Sequence, residues 1–91
     1  MSEASLPALT KALEDTDSDV RIEAVLALGI VGKAGVPSLI VALKDKEADV
    51  RFQAVATIGK LGAEAKPAIK ALTGLLTTDK SNGVRTQAAQ I

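Results

Sequence analysis

Thirty residues separate Pro7 from Pro37 and Pro37 from Pro67, and Asp19-Val20-Arg21 returns after the same interval as Asp49-Val50-Arg51. A fixed period of this length marks an array in which one supersecondary unit stacks on copies of itself, because a single unit cannot bury its apolar face alone. A third copy, Gly83-Val84-Arg85, lies 34 residues after the second. The four extra residues are close to one helical turn, so they lengthen a helix without turning its face. Repeats are expected over about 5–34, 35–64 and 65–91, within a single domain covering residues 1–91.

Each unit reads as two helices. The first starts near its proline, which a first helical turn tolerates, and carries apolar residues three and four apart: Leu6, Leu9, Ala12 and Leu13, then Leu39, Ile40 and Leu43, then Ile69, Leu72, Leu75 and Leu76. An acidic turn follows, Asp15-Thr-Asp-Ser-Asp19 and Asp45-Lys-Glu-Ala-Asp49, whose short polar side chains suit a helix N-terminus. The second helix is expected to turn Val20, Ala24, Leu28 and Val31 to the core, matched by Val50, Ala54, Ile58 and Leu61. Gly32 and Gly62 then fall where a left-handed C-cap is needed. Gly29 and Gly59, one turn earlier, are expected to let two helices approach closely. Nothing alternates with period two over a useful length, so the chain is expected to be all-α.

The pattern Asp-Val-Arg, two variable residues, Ala-Val, two variable residues, Leu or Ile, then Gly, in 19–29 and 49–59, resembles the HEAT repeat. The short unit is most similar to the HEAT-like repeats of phycobilisome lyase subunits. The resemblance runs from about Leu6 to Ile91, with two full copies and one incomplete. It implies a right-handed α-α superhelix of about three antiparallel helix pairs. It also implies a hydrogen-bonded ladder between neighbouring repeats, built by an Asp six residues before an Arg: Asp15 with Arg21, Asp45 with Arg51, Asp79 with Arg85. In the third copy Gly83 replaces the turn aspartate, which removes that capping side chain.

Ile91 lies only six residues beyond Arg85, whereas the second helices of the earlier repeats continue about ten beyond theirs. Three readings follow: a fragment of a longer array, a truncated chain, or a protomer completing its core against another copy. The first two are preferred; the third gives a homodimer through the incomplete terminal repeat.

Composition narrows the chemistry. The chain has no Cys, His, Trp or Tyr, so thiol nucleophiles, disulfides, imidazole bases and the usual zinc ligands are missing together. Eleven basic residues balance eleven acidic ones, which removes the field that draws proteins onto nucleic acid. No apolar run approaches the roughly 20 residues of a membrane helix, and the opening Met1-Ser-Glu-Ala-Ser5 carries no signal-peptide pattern. A cytoplasmic location is the default expectation.

Several motifs have a plainer structural explanation than a functional one. Asp15, Asp17 and Asp19 alternate as in a calcium loop, but an EF-hand wants Gly at its sixth position and Glu at its twelfth, where this chain has Val20 and Leu26. Gly29, Gly32 and Gly35 beside Lys33 follow a helix rather than a strand and match no phosphate-binding motif. The paired carboxylates face no second acidic cluster, and Ser and Thr have no His to activate them. No catalytic residue, metal site or cofactor is expected. Arg21, Arg51 and Arg85 are expected to be ladder residues rather than a phosphate-binding strip.

A second apolar stripe, Ile22, Leu26 and Ile30, lies about 200° around the helix from the expected core face. Its equivalents are Phe52, Ala56 and Lys60, then Thr86 and Gln90, so the stripe fades toward polar. Two readings stand: inter-repeat core, or a partner-binding ridge rimmed by Glu23, Gln53, Lys60, Gln87 and Gln90, with Phe52 as anchor. In HEAT-like proteins the second helices line the concave surface, so the resemblance implies a non-catalytic interaction or scaffold module that holds a protein or helical peptide there. An accessory subunit of a bilin lyase is the alternative the family likeness suggests. Nucleic-acid binding, as in HEAT-like DNA glycosylases, conflicts with the zero net charge and the single Phe52.

Overall fold

A computed structural model describes residues 3–91. Among these residues six α-helices run in three pairs: α1 (Leu6–Ala12) with α2 (Ser18–Val31), α3 (Val36–Ala42) with α4 (Ala48–Leu61), and α5 (Ile69–Thr78) with α6 (Asn82–Ala89). Short 3-10 turns lead into α1, α3 and α5, and the third of these, Gly62–Ala68, contains Pro67. The inserted residues appear in α5, which has ten residues where α1 and α3 have seven. The chain forms a slab of 35 × 30 × 15 Å in which α2, α4 and α6 pack in succession and each first helix lies against its own second helix.

The local signals that start and stop the helices follow side-chain chemistry. Asp17 is the N-cap of α2, its carboxylate accepting from the Asp19 N–H at 2.8 Å. At α4 the N-cap is Glu47, whose own N–H is taken by Asp45 Oδ1 at 2.9 Å. The third repeat, which has Gly83 at the aspartate position, starts α6 with Ser81 instead, its Oγ accepting from Val84 N at 3.3 Å. Gly32 and Gly62 close α2 and α4 with φ of 90° and 57°. Their ψ values of −139° and −123° correct the expected left-handed cap. The chain leaves each helix through a positive-φ region that side-chain-bearing residues avoid, extending into the next repeat rather than curling back.

The core lies between the two helix layers and is made of Val25, Leu28, Val36, Leu39, Leu43, Val50, Val55, Ile58, Leu72 and Val84, with small alanines between them. On α2 the buried residues are Arg21, Ala24, Val25 and Leu28. Val20 is 39% exposed and Val31 half-buried, so the expected core face of Val20, Ala24, Leu28 and Val31 is misplaced by part of a turn. The reason is that a second helix has four sides: one against its layer partner, one against the preceding repeat, one against the following repeat, and one to solvent. Val20 points toward the preceding side; its equivalents Val50 and Val84, which have a preceding repeat, are completely buried. Ile69, expected inside, is 53% exposed for the converse reason, on the third-repeat end. The side chain of Leu76 lies outside the described residues, as do Met1 and Ser2.

Small residues set how closely the second helices approach. A Cβ on Gly29 would stand 2.5 Å from Thr57 Cγ2, and one on Gly59 would stand 2.6 Å from Ile91 Cδ1. Thr57 and Ile91 occupy the same relative place on successive repeats, so the same knob fills the same notch twice.

Candidate partner-binding face

Two sets of residues organise the molecule's surface: a charged ladder along one edge of the turns, and an apolar groove on the solvent side of α2 and α4. The ladder runs across repeats. Arg21 donates from Nε and Nη2 to the two carboxylate oxygens of Asp45, at 2.9 and 3.3 Å, and from Nη1 to the backbone carbonyl of Asp15 at 2.8 Å. Arg51 repeats this with Asp79, at 2.7 and 3.0 Å, and with the carbonyl of Asp45 at 2.8 Å. The Asp six residues before each Arg therefore offers its carbonyl to that Arg, while the carboxylates of Asp45 and Asp79 serve the Arg of the preceding repeat. Arg85 donates to the carbonyl of Asp79 and then turns to Asn82 Oδ1, both at 2.6 Å.

Both pairs are largely withdrawn from solvent, with side-chain exposures of 5% and 9% for Arg21 and Asp45, and 14% and 3% for Arg51 and Asp79. Forked pairing of this kind satisfies most donors and acceptors of two ions at once, which offsets the cost of removing them from water. For Asp79, burial is the largest single influence and pushes its pKa up. The Arg51 hydrogen bonds, the Ser81 N–H and the charges of Arg51 and Arg85 together outweigh it, so the carboxyl sits below its ordinary value. Arg51 is held above its ordinary value, chiefly by its hydrogen bond to Asp79.

The groove holds about 300 Å³ and is lined by Leu26, Gly29, Ile30, Thr57, Lys60 and Leu61. Of the residues singled out in the sequence, it gathers Leu26, Ile30 and Lys60. Leu26 is 39% and Ile30 66% exposed, a pair of aliphatic side chains turned to water on one helix. Ile22 and Phe52 are half-buried and pack against the core, on the side of their helices that faces the following repeat. Phe52 reaches to within 3.9 Å of a Cβ placed on Gly83 and so closes the α4–α6 junction. The stripe thus divides: Ile22 and Phe52 belong with the inter-repeat packing, whereas Leu26 and Ile30 are free.

The remaining candidates do not line this groove, and Thr86, Gln87 and Gln90 belong to α6 and its C-cap. Glu23, Thr86 and Gln90 are exposed, and Gln53, Ala56 and Gln87 are half-buried. Sequence reasoning missed Thr57 and Leu61. Both sit on the far wall of the groove, contributed by the next repeat, and the signal that finds them is Gly29, which lets Thr57 come against α2.

A second concavity of about 530 Å³ opens at the third-repeat end, bounded by Ile58, Ala65, Ile69, Leu72, Ala88 and Ile91. It lies where α6, with eight residues, is shorter than the 14-residue α2 and α4.

Stacked helix pairs with an arginine ladder repeated in register define an α-solenoid. A family model for HEAT repeats matches residues 6–91, and the chain belongs to the HEAT repeat family. Proteins of this kind commonly serve in protein–protein interaction and scaffolding. Comparison with curated proteins gives no match. Among the described residues no helix is long and apolar enough to cross a membrane, and no group of His, Cys, Asp or Glu is placed to hold a metal ion.

Proposed function

We propose that the chain is a non-catalytic interaction module that takes a helical segment of a partner protein into the groove between α2 and α4. The observation that carries this reading is the exposed pair Leu26 and Ile30 on one wall, facing Thr57 and Leu61 across the Gly29 notch, with Lys60 at the rim. An amphipathic helix laid along such a groove would bury its apolar residues on Leu26 and Ile30. Lys60 would favour an acidic residue at the edge of that helix and so set its register. Glu23 on α2 and Gln53 on α4 lie outside the groove's lining and would act as rim contacts.

The accessory bilin-lyase reading receives less support from the same groove. A bilin carries two propionates, and Lys60 is the one cation among the groove's lining residues. Absorbance of bound pigment in the purified protein would favour that reading directly.

The test is affinity capture with the parent chain and with a variant carrying Leu26→Glu and Ile30→Glu, both checked for helical circular dichroism. Both side chains are exposed, so the variant is expected to fold. A partner held by the parent and bound at least about tenfold more weakly by the variant supports the groove. Undiminished capture by the folded variant overturns it.

A further inference from the structure

The solvent side of the second helices changes its charge along their length. On α2, Asp19, Glu23, Leu26 and Ile30 are all exposed and fall within about 60° of one another around the axis, so they form one stripe. Asp49, Gln53, Ala56 and Lys60 hold the same places on α4. Asp49 and Lys60 are exposed although α4 packs against α2 on one side and α6 on the other, so this face opens to water within the stack. α2 and α4 run the same way: Arg21 pairs with Asp45 at their start, Gly29 faces Thr57 midway, and Gly32 lies by Glu64 at their close. The two stripes therefore lie side by side.

Along that shared direction the face passes from acid through hydrocarbon to base. Asp19 and Asp49 stand in the first turns and Glu23 one turn on, and Asp17 and Glu47, the N-caps, outweigh Lys46. Arg21 and Arg51 add no free positive charge there, being paired with Asp45 and Asp79. Leu26 and Ile30 follow, with the groove beside them. Lys60 stands in the last turn of α4, and with Lys33 and Lys66 beyond the two helices it outweighs Glu64. The stretch from Asp19 to Ile30 is about 16 Å of helix, so about three turns of a partner cover it.

Taking the groove between α2 and α4 as the docking site, we propose that the helix it receives runs antiparallel to both and carries an acidic first turn, apolar residues three and four apart in the middle, and a basic last turn. In this direction the acidic turn meets Lys60, the basic turn meets Asp19, Glu23 and Asp49, and the apolar residues cover Leu26 and Ile30. The partner's own stability acts in the same sense, because a helix favours anions at its N-terminus and cations at its C-terminus. Laid parallel to α2, such a helix sets like charges together at both of its ends, which costs affinity.

Two synthetic peptides of about 18 residues, about five helical turns, provide the test. Both have acetylated and amidated termini, leucines spaced three and four apart, and a staple that brings them to equal helicity by circular dichroism. One carries Glu in its first turn and Lys in its last; the other has these exchanged. Fluorescence anisotropy at low salt is expected to show the first bound to the full chain at least about tenfold more tightly, with the preference shrinking as salt is raised. Glu23→Lys combined with Lys60→Glu, both at exposed positions, is expected to erase the preference. Equal binding of the two peptides overturns the proposal, as does a preference that this charge exchange leaves unchanged. Leu26→Glu with Ile30→Glu, in a variant that stays helical, separates the direction from the groove. Peptides that bind the parent equally and are both lost by that variant leave the groove standing and remove the direction. Binding that is absent from the parent, or indifferent to that variant, removes the groove as well.

Discussion

Arg51 closes on Asp79 with two parallel hydrogen bonds, Nε to Oδ2 at 2.7 Å and Nη2 to Oδ1 at 3.0 Å, across 28 residues of sequence. The Asp79 side chain is only 3% exposed, so removing either partner leaves the other in a place poor in water. Breaking a buried pair from one side costs about 3 kcal/mol or more. Asp79→Ala is therefore expected to lower stability by about 3 kcal/mol in urea unfolding. Asp15→Ala, which loses only an exposed turn bond, is expected to cost less than about 1 kcal/mol.

Acid acts on the same joint. Because the folded carboxyl of Asp79 lies below its ordinary value near about 3.9, its contribution is complete above that value and is lost as pH falls through the lower folded one. Arg51, held above its ordinary value, stays charged throughout this range and adds no slope of its own. Stability measured from neutral pH downward is expected to fall most steeply below about pH 4. In Asp79→Asn that part of the slope is expected to disappear.

Gly29→Ala is expected to destabilise despite the better helix propensity of alanine. The new methyl would meet Thr57 Cγ2 at 2.5 Å, and Thr57, buried and β-branched, has no easy rotamer to escape into. Overpacking costs about 1–3 kcal/mol against a propensity gain of up to about 1, so a net loss of about 1 kcal/mol is expected in thermal or urea melts. Thr57→Ser removes the offending methyl. The double variant is expected to recover most of the loss, which a double-mutant cycle reads directly.

Gly62 isolates a different effect. No atom lies within 4 Å of a Cβ built there, yet its φ is 57° with ψ at −123°. Gly62→Ala is expected to cost about 1–3 kcal/mol through backbone conformation alone. A variant as stable as the parent would show that the α4 terminus relaxes to a different turn.

The period of the repeat, the helix pairing within each unit and the notch at Gly29 were legible in the sequence because each leaves a mark at a fixed spacing. Which side of a helix meets which neighbour was not. Apolar spacing grouped Val20 with Ala24 and Leu28, but Val20 faces the preceding side, and the residue that completes the core is Val25, one position past the expected face. Arg21, 4% exposed, is inside for a reason hydropathy cannot express: its guanidinium is satisfied by Asp45 and by the Asp15 and Thr16 carbonyls. The groove was half legible for the same reason. Leu26 and Ile30 share a helix and so share a spacing, whereas Thr57 and Leu61 join them only through three-dimensional contact between repeats.

The arginine joints also shape how such a chain reaches its native state. Each ties residues 24 or 28 apart, a little less than one repeat of chain. The entropy lost in closing a loop grows with the logarithm of its length, so every joint closes at about the same small entropic cost, wherever it lies. Contacts this local favour rapid assembly, with one formed pair of helices templating the next. An array built on these joints can grow longer without any single step of its folding becoming slower.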